Sequence, residues 1–180
     1  MQMNEETLVR TDNELVNLTL DNDKEYFSQL VVRYYPKLSR YLYRLLNGNQ
    51  NDVDECLADT FMKAFMNLAT YSSGLSFSSW IYRIAHNQAI DLMRKKMRSA
   101  TVPLEEFHAP HDPSKHYEEK DYVEHILAFL SIEDRNLLTL FYLEELSLND
   151  ISDMLKIKPN TLAVRIKRIR ERLKIQFPHK

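Results

Sequence analysis

Glycine is nearly absent from this 180-residue chain: it has only Gly48 and Gly74. A phosphate loop of the Walker type needs two glycines five positions apart, and a dinucleotide-binding turn needs three close together. Both are excluded. A single cysteine, Cys56, rules out an internal disulfide framework and a zinc knuckle. The longest wholly apolar run, Ile126 to Leu130, is far short of the about 20 residues a membrane helix needs. The N-terminal stretch MQMNEETLVRTDNELV is acidic and polar, unlike a secretory signal. The expectation is a cytoplasmic protein with no membrane insertion. Strand-like alternation is missing too. With so little glycine and so much Leu, Ile, Arg, Lys and Glu, the composition predicts an all-α protein.

The net charge of −2 hides strong segregation. Residues 31–51 carry Arg33, Lys37, Arg40 and Arg44 and no acid. Residues 80–98 set five basic residues against Asp91, and residues 156–180 set nine against Glu171. The acidic excess lies at 1–30 and 104–155. Separate charged blocks imply separate surfaces for separate partners.

Residues 1–20 are weakly amphipathic and read as a tail or frayed helix. From Lys24, Phe27, Leu30, Val31, Tyr34, Leu38 and Leu42 keep a helical rhythm up to the Asn47-Gly48-Asn49 turn, with Pro36 inside as a kink or division. A second helix, from Asp52 to Asn67, has an apolar seam of Val53, Leu57, Thr60 and Ala64. Asp52, Glu55 and Asp59 form an acidic stripe on its other side, beyond what the helix dipole explains at Asp59.

Phe77 to Arg98, FSSWIYRIAHNQAIDLMRKKMR, has the strongest pattern. Phe77, Trp80, Ile81, Ile84, Ala85 and Leu92 share a broad apolar face. Arg83, Asn87 and Arg94 form a polar rail along its rim, beside the serine-rich loop of Ser72, Ser73 and Ser76. Such a rail suits a phosphate backbone and an exposed base. Residues 99–120 contain Pro103, Pro110 and Pro113 without helical period and read as a flexible linker. Its His108, His111 and His116 have no cysteine or framing element beside them, so they read as part of a solvated tether; no metal or cofactor is expected. Beyond it, Ser131 and Ser147 are expected helix caps, and Pro159 opens a basic last helix. Leu162, Ile166, Ile169 and Leu173 form its seam, with Thr161, Arg165, Arg168 and Arg172 on one flank and Lys167, Arg170 and Lys174 on the other. Two short helices and a tight turn, the second helix basic, follow the helix-turn-helix plan.

These segments together resemble the bacterial extracytoplasmic-function sigma factors of the sigma-70 family. The stretch from Phe77 is similar to the family's −10 segment, F-x-x-W-L-Y-x-I-A-x-N-x-x-x-D-x-x-R-[RK]-x, through Phe77, Trp80, Tyr82, Ile84, Ala85, Asn87, Asp91, Arg94 and Lys95. His86 stands where an Arg is usual. The second helix resembles the segment that docks on the clamp coiled coil of the polymerase β′ subunit, through Asp52, Asp54, Glu55, Asp59, Thr60, Phe61, Lys63, Ala64 and Phe65. The C-terminal part resembles the −35 reader through Leu146, Ser147, Ile151, Leu155, Ile157, Thr161, Arg165, Ile166, Arg168 and Arg170.

The resemblance implies two small helical domains: a tail at 1–20, region 2 at 21–98, a linker at 99–120 and region 4 at 121–177. It implies a non-enzymatic factor that binds core RNA polymerase and promoter DNA, and often an anti-sigma partner. Polymerase would meet Asp52, Asp54, Glu55 and Asp59. The −10 strand would meet Ser72, Ser73, Ser76, Arg83, His86, Asn87, Arg94 and Lys95. The −35 duplex would meet Asn160, Thr161, Val164, Arg165, Lys167, Arg168 and Arg172. The competing reading, a helix-turn-helix regulator with an N-terminal sensing or dimerisation domain, leaves the acidic stripe and the rail without a role.

Overall fold

The computed structural model describes residues 10–21, 23–72, 74, 76–99 and 119–177. The N-terminal segment 1–9, Ser73 and the expected linker with its three histidines lie outside or almost wholly outside these residues. All regular structure among the described residues is helical: α1 (Asp12–Leu20), α2 (Glu25–Leu45), α3 (Gln50–Met66), α4 (Phe77–Ser99), α5 (Glu119–Ala128), α6 (Ile132–Leu138), α7 (Leu148–Leu155) and α8 (Pro159–Gln176). A 3-10 turn follows α3 and a π-helical turn, Thr139–Leu143, continues α6.

The helix ends follow local chemistry. Asn49, Ser131 and Ser147 accept the backbone N–H groups of Asp52, Asp134 and Asp150 at the starts of α3, α6 and α7. Lys156 turns left-handed (φ 58°) after α7, and Pro159 takes the first position of α8. Helix α2 runs unbroken through Pro36. The proline removes the N–H that the Val32 carbonyl would receive, but Val32 is exposed, so water can replace it.

Of the two readings open for residues 1–20, a tail or a frayed helix, residues 12–20 take the helix and form α1, capped and packed rather than frayed. Thr11 and Glu14 close a capping box, and Leu15 and Val16 are buried. Asp12 accepts the Tyr34 hydroxyl at 2.5 Å and pairs with Arg33. Nine residues with two large core contacts carry too little periodicity to stand out in sequence; the helix is held by its cap and by α2.

Helices α1–α4 form one unit and α5–α8 another, and the two are packed together. Helix α4 lies against α7, and α2 lies against α6. Their buried side chains, from Leu15 to Ile169, belong to a single hydrophobic cluster.

Candidate nucleic-acid interface

Helix α4 is anchored at its start by aromatic packing. Phe77 meets Tyr34 edge-on at 5.3 Å between centroids, and Tyr71 meets Trp80 at 5.5 Å. These rings fix the loop before α4 against α2. Further along, Asn87, Arg94 and Lys95 are exposed on the polar side. Arg94 also lies 3.6 Å from Asp91, a pair too exposed to hold it.

The first half of the predicted rail is placed differently. Arg83 is half-buried and donates from Nη2 to the Asp153 carbonyl of α7 at 2.8 Å. His86 is half-buried too, its Nδ1 3.0 Å from the Tyr41 hydroxyl, which in turn donates to Asn136 Oδ1 at 2.8 Å. Because the one Tyr41 proton goes to Asn136, His86 supplies the proton of its own bond and stays neutral. Burial lowers its pKa to about 4. Ser72 is exposed; Ser76 shares a hydrogen bond with Ser79, whose hydroxyl donates to Asp150 of α7. Ser79 is buried in this contact and had not been singled out by sequence, because the group that engages it comes from a helix about 70 residues away.

On α3, Asp54 and Glu55 are exposed and Asp59 is half-buried. Asp52 departs from the stripe: it is 9% exposed and accepts both short bonds from Lys96 Nζ, at 2.5 and 2.6 Å. It ties the start of α3 to the end of α4 and leaves three acids for an external partner. Cys56 is buried beneath them. Burial, with Glu55, Asp52 and Asp59 nearby, pushes its thiol up to about 11, so it stays protonated and unreactive.

On α8 the apolar seam is in place: Leu162, Ile166 and Ile169 are buried and Leu173 packs against them. Asn160, Thr161, Lys167 and Arg168 are exposed, and Val164 is 50% exposed despite its apolar side chain. Arg165 and Arg172 are not simply displayed. Arg165 Nε lies 2.7 Å and Arg172 Nη2 2.5 Å from the two oxygens of Asp134, an α6 carboxylate that is only 8% exposed. That carboxylate splints two cations of the recognition helix.

Replacing Asp134 with Asn should therefore release both arginines to wander over phosphates. Each added phosphate contact steepens the logarithmic salt dependence of duplex binding by roughly 0.9. Anisotropy titrations over a salt series should show a slope steeper by up to about 1.8, with tighter binding to unrelated duplexes and weaker discrimination. An unchanged slope and unchanged discrimination would count against the splint.

No helix among the described residues is long and apolar enough to cross a membrane, and no group of His, Cys, Asp or Glu there could hold a metal ion.

Two basic helical faces on separate units, the second in a helix-turn-helix, define a helical DNA-binding protein. Residues 30–99 match the family model of sigma-70 region 2, and residues 120–173 match that of sigma-70 region 4. The chain is 29% identical to the ECF RNA polymerase sigma factor SigW of Bacillus subtilis, over 86% of this chain and 90% of that one. It is also 29% identical to the ECF RNA polymerase sigma factor SigM of Mycobacterium tuberculosis, over 91% and 83%. Among solved structures it superposes on the sigma factor RpoE, in complex with the anti-sigma factor NepR from Bartonella quintana, with a TM-score of 0.69 at 22% identity, covering 85% of this chain and 98% of that one. CnrH, in complex with the cytosolic domain of CnrY, gives 0.67 at 21% identity, over 92% and 96%. The chain belongs to the extracytoplasmic-function branch of the sigma-70 family, the factors that direct RNA polymerase to promoters.

Proposed function

We propose that the three faces divide the work of promoter selection residue by residue. The acidic face of α3, with Asp54, Glu55 and Asp59, docks on the basic clamp coiled coil of core polymerase. Asp52 supports that face from inside through Lys96. Asn87 hydrogen-bonds a base of the melted −10 strand while Arg83, Arg94 and Lys95 neutralise its backbone, with Ser72 and Ser76 closing one side. Thr161, Val164, Lys167 and Arg168 face the −35 major groove, and the Val164 methyl groups suit a thymine methyl. Asn160 starts the same helix, whose N-terminus favours a phosphate. The observation that carries this reading is the segregation of exposed groups: acids on α3, cations and an amide on α4, cations around an exposed valine on α8.

The protein acts without catalysis of its own, in the cytoplasm where polymerase and DNA are. An anti-sigma protein that covers these faces, as NepR and CnrY are partners of the related folds, fits the same surfaces.

The test is reconstituted transcription with core polymerase and a promoter library. Glu55→Lys with Asp59→Lys should abolish capture of core polymerase in a pull-down while helicity is kept. Asn87→Ala should change the selected −10 base, and Val164→Ser should relax one −35 position. Wild-type polymerase capture by the double reversal would remove α3 from the docking role.

A further inference from the structure

We propose that Asn13 of α1 is a positioning residue for −10 recognition: through the Tyr71 hydroxyl it sets the posture of the loop that precedes α4. The proposal rests on the reading of α4, Ser72 and Ser76 as the strand-binding side, and adds what holds that loop in place.

Asn13 contributes neither to the core nor to the cap of its own helix. It is exposed in the first turn of α1, where Thr11 and Glu14 already close the capping box. Asparagine is a weak helix former, because its amide competes for backbone groups. Here the side chain is used 58 positions away in sequence: Asn13 Oδ1 accepts the Tyr71 hydroxyl at 2.8 Å. Tyr71 opens the loop, directly after the 3-10 turn Leu68–Thr70, and α1 lies beside that turn. Burial and the nearby Asp12 raise the pKa of the hydroxyl, so it keeps its proton and stays a donor.

The two ends of the loop are closed by rings. Tyr71 at its start and Phe77 at its end meet edge-on at 5.6 Å between centroids, and each packs on Trp80 at 5.5 Å. Helix α1 holds each end by a different route. Asn13 takes Tyr71 directly. Asp12 accepts the Tyr34 hydroxyl, and the Tyr34 ring lies against Phe77. Arg33 bonds both Asp12 and the Arg10 carbonyl, so the start of α1 is itself fixed on α2. Between these two holds, Ser72 and Ser76 stay exposed.

Asn13 acts through Tyr71 and is not itself a base reader. An exposed loop loses conformational freedom when it closes on a strand, and fixing its ends beforehand removes part of that cost. A loop held in place also cannot readjust around a wrong base, so the same constraint favours discrimination. Freed at Tyr71, it would re-form around whichever base it meets. Polymerase docking is served by a different face, Glu55 and Asp59 on α3. The Asn13–Tyr71 bond therefore bears on base choice and not on assembly with polymerase.

The test uses the full-length protein with core polymerase and a promoter library. Asn13→Ala, and Tyr71→Phe, which keeps the ring, should each flatten the −10 base preference about fivefold, the worth of one net hydrogen bond. Capture of core polymerase should stay unchanged. Both changes remove the same bond, so the double variant should lose no more than either alone. Asn13→Asp keeps the acceptor oxygen and should restore the preference. Trp80, the single tryptophan of the chain, supplies a spectroscopic signature, because the Tyr71 ring packs on it. Its emission should shift with Asn13→Ala and return with Asn13→Asp. Asn87→Ala runs alongside as the variant of strand reading itself. If Asn87→Ala changes the profile while Asn13→Ala and Tyr71→Phe leave it as in wild type, the positioning role falls and the reading of α4 stands. If all three leave the profile unchanged, both fall. A flattened profile that Tyr71→Phe does not reproduce, or that Asn13→Asp does not restore, traces the effect to the stability of α1 and overturns the proposal. Trp80 emission that is identical in wild type and Asn13→Ala shows an unmoved Tyr71 and overturns it as well.

Discussion

Arg135→Ala should destabilise region 4 by about 3 kcal/mol and loosen its hold on region 2. The guanidinium is the common cap of two helix ends. It donates to the Leu127 carbonyl at 2.9 Å and to those of Leu130 and Ala128 at 3.3 and 3.4 Å, all at the end of α5. It also reaches the Arg44 carbonyl at 3.4 Å and the Asn47 side chain at the end of α2. Helix C-termini leave carbonyls without partners and carry partial negative charge, so a cation there satisfies both needs. Individual bonds to a charged donor contribute roughly 1.5–3 kcal/mol, but they do not add. Arg135 also lines an open cleft of about 530 Å³ with Tyr43, Asn47 and Glu124, where water can replace some of the lost donors. That holds the expected loss to the size of one or two strong bonds. For a unit of about 60 residues this is a fall of roughly 12–24 °C in melting temperature. Lysine should not rescue it, because one ammonium cannot fork to carbonyls on two helices. A scanning-calorimetry transition for Arg135→Ala within about 3 °C of wild type would contradict the double-cap role.

Acidification from pH 7 to pH 5 should weaken the packing of the two regions by about 2 kcal/mol through His86 alone. Burial holds this imidazole at about 4, below its ordinary 6.5. Between those values the unfolded or separated chain binds a proton that the packed chain refuses. Stability therefore rises with pH across the window, is fully present above about 6.5, and falls as pH drops towards 4. The neighbours offer no compensating charge at hydrogen-bonding distance. Tyr41 from α2 is neutral with its pKa raised by burial, Asn136 from α6 is uncharged, and Glu133 and Arg165 line the same cavity with opposite signs. Separating the regions relieves the penalty while breaking fewer contacts than unfolding. His86→Gln should flatten the pH dependence between 5 and 7, measured by denaturant unfolding. His86→Arg, the residue usual in the family, should place a permanent cation against Tyr41 and Asn136 and open the packed form at every pH. Wild-type and His86→Gln curves that run parallel from pH 7 to 5 would remove His86 as the sensor.

The amino-acid sequence by itself determined the helical class, the main helices and the division of charge. Each depends on neighbours in the chain: the periodic seams of α2, α3, α4 and α8, the caps at Ser131 and Ser147, and Pro159 at the first turn of α8. The residues with a free face, Glu55, Asn87, Arg94, Val164 and Arg168, were legible for the same reason: a helix pattern says which side is not core.

Only the tertiary structure decided which polar residues on those sides have partners. Asp52 turns to Lys96, Arg165 and Arg172 turn to Asp134, Arg83 turns to Asp153, and His86 turns to Tyr41. All these pairs join residues 31 to 70 positions apart, and no local period encodes such a pairing. The same holds for α1, secured by Asp12 on Arg33 and Tyr34, and for α7 lying across α4. Hydrophobic period tells a side chain which way to face. Whether a charge facing outward meets water, DNA or another helix depends on packing between distant segments.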